Sequence, residues 1–131
     1  MVVILVNWLI RHGFEDAFEE RWRKMTVESH SGLYRELLTR LDKAGQQEGK
    51  FHAFSLGDPF YSTFINIGIW NDLASFDAAI GKYIPDVKIV EEDGRRKQTV
   101  ELDEFEFKLR ERVVLEVVGT RGGDLPPADV L

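Results

Sequence analysis

The sequence predicts an α+β domain built on a split βαβ pattern, and three observations predict it. Apolar segments follow one another in the order strand, helix, strand, strand, helix, strand. The 131 residues amount to one domain at roughly 100–200 residues per domain. No internal repeat or low-complexity tract breaks the series.

The first strand is Val2 to Ile10, eight apolar residues of nine, rich in Val and Ile and interrupted only by Asn7. Such a run suits a strand buried on both faces. After the turn Arg11-His12-Gly13, a helix runs from Phe14 to Met25. Phe14, Phe18, Trp22 and Met25 recur there at three- and four-residue steps and read as its core stripe. Glu19 with Arg23, and Glu20 with Lys24, are exposed i,i+4 pairs in the favourable order. Leu33 to Leu41 fits either a strand or a helix; its position after Ser31-Gly32 favours the strand. A polar loop, Asp42 to Lys50, follows, and Phe51 to Leu56 continues that strand or makes a short extra one.

Phe60 to Trp70 is the strongest strand, eleven residues without a charge. Tyr61, Thr63, Ile65, Ile67 and Ile69 share one face, and Phe60, Ser62, Phe64, Asn66, Gly68 and Trp70 the other. Asn71 or Asp72 caps a second helix with Leu73, Phe76, Ile80 and Tyr83 inward, ended by Pro85. Asp86 to Lys97 is polar and fits a short helix followed by the turn Glu92-Asp93-Gly94. Glu104 to Val118 alternates as a long last strand, Phe105, Phe107, Leu109, Val113, Leu115 and Val117 against Glu106, Lys108, Arg110, Arg112 and Glu116. The order is the ferredoxin-like one, with an antiparallel sheet. Residues 1–118 form the domain, 86–103 a polar insertion in it, and 119–131 a Gly- and Pro-rich C-terminal arm.

Two helices cover only one face of four strands, yet the first and third strands are apolar on both. The economical cover for the second face is another copy of the chain, sheet against sheet, so a homodimer is expected. Composition excludes other classes. A net charge of −6 supplies no cationic field for nucleic acid or an anionic membrane. The lack of cysteine excludes disulfides, thiolate metal sites and thiol nucleophiles. Met1 to Ile10 is too short for a membrane span and lacks the basic leader and cleavage site of a signal peptide, so the expected location is the cytoplasm.

Three segments carry a family resemblance: Val3-Ile4-Leu5-Val6-Asn7-Trp8, His12-Gly13-Phe14-Glu15-Asp16-Ala17-Phe18-Glu19-Glu20-Arg21-Trp22, and Asn66-Ile67-Gly68-Ile69-Trp70-Asn71-Asp72-Leu73-Ala74-Ser75-Phe76. In this order the chain resembles the antibiotic-biosynthesis-monooxygenase-like (ABM) domains of the dimeric α/β-barrel superfamily, over about residues 2–83 and the last strand. The resemblance implies a dimeric α/β barrel and a cofactor-independent monooxygenase acting on an aromatic, quinol-like small molecule. It also implies that Asn66 and Trp70 are catalytic, holding the substrate and stabilising its anion. Residues four apart on a strand share a face, and an amide donor suits a developing enolate oxygen. Where that group places a tyrosine six residues after the tryptophan, this chain has Phe76, which shapes a pocket but relays no proton. Haem-degrading relatives of the fold share Asn7 and Trp70 but need a histidine where this chain has Ile80, so no haem or other cofactor is expected.

Asn7, Phe64, Phe76 and His52 complete the candidate site as substrate contacts. Three of the candidates also have a structural reading: Trp70 as a bulky core aromatic, Asn66 and Asn7 as amides bonded to a neighbouring loop. His52 is the best placed histidine, within Phe51-His52-Ala53-Phe54, and His12, His30 and His52 share no metal-ligand spacing. The runs Glu91-Glu92-Asp93 and Glu101, Asp103, Glu104, Glu106 read as solvated faces, and Lys108, Arg110 and Arg112 as ion-pairing partners between subunits. No phosphate loop, nucleophile motif or zinc signature is present. The competing reading is a dimeric domain that binds a small molecule or serves structurally, without catalysis.

Overall fold

The computed structural model describes residues 1–25, 32–42, 45–46, 49–52, 56–80, 88–92, 95–99 and 107–124. In chain order the elements are β1 (Val2–Arg11), α1 (Glu15–Lys24), β2 (Leu33–Arg40), β3 (Tyr61–Trp70), α2 (Leu73–Ile80), β4 (Lys88–Glu92), β5 (Arg95–Thr99) and β6 (Phe107–Glu116). Four of the strands form one sheet in the order β2-β3-β1-β6, with every neighbour antiparallel. This α+β arrangement is compatible with the ferredoxin-like pattern, and Leu33–Arg40 takes its strand alternative.

The segment read as a short helix within Asp86–Lys97 is instead strand on both sides of residues 93–94. Lys88 pairs with Thr99 and Glu92 with Arg95 in an antiparallel hairpin. Asp-Gly between two short runs is a tight-turn signal, and it outweighs the polar composition that suggested a helix. Phe51 and His52 lie outside any strand, so β2 ends at Arg40. Tyr83, Pro85, Phe105 and the end of the arm lie outside the described residues.

The register sorts the side chains. Val2 faces Trp70, Ile4 Gly68, Val6 Asn66 and Trp8 Phe64, and these pairs share the side of the sheet that the helices cover. Two clusters form there. Under α1, Phe18 meets Phe64 edge-on at 5.0 Å and Trp8 at 5.1 Å, above the buried Ile10. Under α2, Phe76 stands edge-on to Trp70 at 5.4 Å, with Ile4, Val6 and Ile80. Each of these large side chains contributes about 1.5–3 kcal/mol by leaving water.

The opposite side carries Val3, Leu5, Asn7 and Leu9 of β1 and Ile65, Ile67 and Ile69 of β3, only half-buried. On β6, Val113 and Leu115 share that side and are 40% and 42% exposed. One end of it is touched by the loop before β3, where the Thr63 hydroxyl donates to the Leu56 carbonyl. Among the described residues, no helix is long and apolar enough to cross a membrane.

The helix ends are fixed locally. Asp72 rather than Asn71 caps α2, accepting from the Ser75 backbone N–H at 2.7 Å. Asn71 donates its own backbone N–H to the carbonyl of Gly32 at 2.8 Å. Gly32 has φ +91° and meets the Ser75 side chain where a Cβ would stand, so this approach of chain to helix requires glycine.

Candidate functional site

Between the two apolar clusters, on the helix-covered side, lies a polar seam. Its centre is Asn66, set on β3 between Phe64 of one cluster and Trp70 of the other. The last full turn of α1 brings Trp22 over it, and the indole Nε1 donates to Asn66 Oδ1 at 2.9 Å. From the edge strand β2, Glu36 enters the same seam, directly opposite Gly68. Burial lifts the Glu36 carboxyl above its ordinary value; hydrogen bonds from Asn66 and Trp22 offset this only in part.

Trp70 completes the seam. It is fully buried, and its Nε1 has no hydrogen-bond partner among the described residues. The indole folds back over Gly68, so that a Cβ at that position would lie 2.5 Å from Nε1. Glycine is needed here for the close approach, which sets the unpartnered Nε1 against the residue facing Glu36. A buried donor without a partner costs roughly 1–3 kcal/mol unless something supplies an acceptor.

The structure brings some of the expected residues together and separates others. Asn66 and Trp70 share one face of β3, and Phe76 packs on Trp70. Phe64 shares that face but is sealed in the cluster under α1. Asn7 pairs with Ile65 and so projects from the other side of the sheet, where its Oδ1 is buried without a partner among the described residues. His52 is exposed in the loop after β2, beside a groove lined by Asp42, Gly45, Gln46, Lys50 and Phe51. Ile80, at the position a haem ligand would need, is part of the core.

Sequence reasoning missed Glu36 and assigned Trp22 to the core stripe. The signal for Glu36 was its parity with Leu38 on β2: a carboxylate two residues from an inward leucine points the same way. For Trp22 the signal was chemical, since an indole on an inward stripe still needs a partner for its N–H.

A second cluster joins His12, Glu15 and Ser62 at the start of α1. Ser62 Oγ lies 3.3 Å from His12 Nδ1 and donates to Glu15 Oε1 at 3.2 Å. Glu15 Oε1 is itself 3.2 Å from the same Nδ1, while His12 Nε2 faces the Pro59 carbonyl at 3.1 Å. A hydrolytic triad needs the hydroxyl and the carboxylate on opposite ring nitrogens. Here they share one, and the cluster closes the turn instead. Burial alone would raise the Glu15 carboxyl; the backbone N–H groups of Glu15 and Gly13, then His12 and Ser62, outweigh it and hold the carboxyl below its ordinary range. Among the described residues no group of three or more metal-ligating side chains is gathered. No protein-family model matches the chain, and no curated protein matches it.

Proposed function

We propose that the seam is the site of a small-molecule enzyme, a cofactor-independent monooxygenase acting on an aromatic, quinol-like substrate. The observation that carries this reading is the unpartnered Nε1 of Trp70, buried on the same strand face as the Asn66 amide. An electron-rich phenol or anthrone, once ionised, reduces O₂ without a cofactor. One oxygen atom becomes the new carbonyl and the other leaves as water. Donors fixed in a dry seam stabilise the anion on that path.

In the same reading the half-covered side of the sheet packs against a second copy of the chain, giving a dimeric α/β barrel. Its support is the apolar row Val3, Leu5, Ile65, Ile67, Ile69, Val113 and Leu115, a patch of the kind that marks an interface. Light scattering tests this part: the expected mass is twice 15.1 kDa.

Oxygen uptake with a panel of hydroquinones and anthrones tests the activity. Turnover that falls in Asn66→Ala and Trp70→Phe supports it, and no turnover, or turnover indifferent to both changes, removes it. A non-catalytic dimer is favoured by a different observation, the Asn66 carbonyl already partnered by Trp22. That reading expects unchanged binding of aromatic probes and no oxygen uptake.

A further inference from the structure

We propose that Glu36 accepts the proton of an aromatic hydroxyl group bound at the seam, while Trp70 Nε1 donates to the same oxygen. The inference rests on the small-molecule reading above and adds a proton acceptor that the resemblance does not contain. Phe76 stands where that resemblance expects a hydroxyl-bearing side chain, so the acceptor has to come from elsewhere.

Counting donors and acceptors identifies the ligand group. Asn66 spends Oδ1 on Trp22 and one of its two amide N–H groups on Glu36, and Trp22 spends its only N–H within the cluster. A carboxylate offers about four lone-pair directions, so Glu36 keeps acceptor capacity after these bonds. Trp70 keeps one donor. The seam therefore presents an acceptor, Glu36, across the strands from Gly68 and a donor, Trp70 Nε1, against Gly68. A hydroxyl is the smallest group that gives one proton and accepts one. A ligand carboxylate would bring a second anion against Glu36, and an ammonium would leave Trp70 Nε1 without an acceptor. The flat apolar neighbours Trp22, Trp70 and Phe76 favour an aromatic carrier for that hydroxyl.

The proton transfer follows. The O–H bond breaks, its electron pair stays on the ligand oxygen facing Trp70 Nε1, and the proton goes to the Glu36 carboxylate. A phenol ionises near 10 and an ordinary glutamate near 4.3, so the transfer is steeply uphill in water. Each unit by which burial lifts the carboxyl makes it about tenfold less unfavourable.

Equilibrium dialysis with 2-naphthol and 2-methoxynaphthalene tests this on the full chain, because the ether keeps the rings and loses the O–H. Wild type is expected to prefer the naphthol by about tenfold or more, as for a hydrogen bond to a charged group. Glu36→Leu, with its fold checked by near-ultraviolet circular dichroism, is expected to bring that ratio to one or below. Glu36→Gln, a weaker neutral acceptor of the same shape, falls between. A ratio near one in wild type, or an unchanged ratio in Glu36→Leu, overturns the role of Glu36 and leaves the aromatic-substrate reading standing. If neither compound binds, both this inference and the aromatic-substrate reading fall.

Discussion

On the helix-facing side of the sheet Ile4 and Phe64 are 1% exposed and Trp70 is fully buried, whereas on the opposite side Val113 and Leu115 are 40% and 42% exposed and their neighbours half-buried. On β1 and β3 both sides are mostly apolar in composition, and each carries one asparagine. The polar groups differ as the apolar ones do: Asn66 is partnered from α1 and β2, while Asn7 keeps a buried oxygen with no partner among the described residues. Strand alternation sorts residues into faces, but it does not say what covers a face. Helices supply that cover on one side, and with it the means of building a polar site.

The largest effect expected is on the covered side. Phe64→Ala removes a ring held by Phe18 and flanked by Ile10, and should cost about 3–5 kcal/mol in urea unfolding, a large part of a small domain's stability. Ile67→Ala, on the other side of the same strand, sharpens the contrast. If a second chain covers that face, its cost should depend on protein concentration. A small, concentration-independent cost would leave the face simply exposed to water.

Ile67→Asp attacks the same contrast from the assembly side. A carboxylate in the middle of the half-covered row should convert the proposed dimer to a folded monomer, read as mass by light scattering with unchanged far-ultraviolet dichroism. A wild-type protein that is already monomeric at micromolar concentration would break the comparison. Gly68→Ala comes next, at about 1–3 kcal/mol, since its methyl would lie 2.5 Å from Trp70 Nε1 and push the indole off its seat. Tryptophan fluorescence should shift with it; an unmoved spectrum would mean that the close approach is not needed.

Most of the fold was legible because it depends on periodicity. The uncharged alternation of Tyr61–Trp70 names a central strand and sorts its faces, and the structure keeps that sorting residue by residue. Leu33–Arg40 was harder, because the bulge between Leu33 and Arg35 breaks the alternation that would have marked it as a strand. The hairpin at β4 and β5 was hidden by polar composition, although Asp93-Gly94 stood between its strands. For the site, the family resemblance paired Asn66 with Trp70, and their spacing put both on one face of the strand. Glu36 did not, since its role comes from the register of β2 on β3 and from an indole arriving off α1, contacts between residues far apart in the chain.

Two carboxylates offer the smallest effect, and they differ in sign. The raised Glu36 carboxyl means that the fold favours its protonated form, so its contribution to stability is full below the ordinary value of 4.5 and is lost as pH rises through the raised one. Glu36→Gln should therefore melt higher than wild type at pH 7.5, with the gap closing toward pH ~3.5. Glu15 is lowered by the N–H groups around it, and its contribution is present above 4.5 and lost as pH falls through the lowered value. Glu15→Gln should melt lower than wild type at pH 7.5, and that gap too should close in acid. Melting curves across this range separate the two cases, since the exposed turn and the covered seam then respond with opposite signs. Equal signs would mean that donors hold Glu36 in its charged form as they hold Glu15, and the seam would lose the property that distinguishes it from the turn.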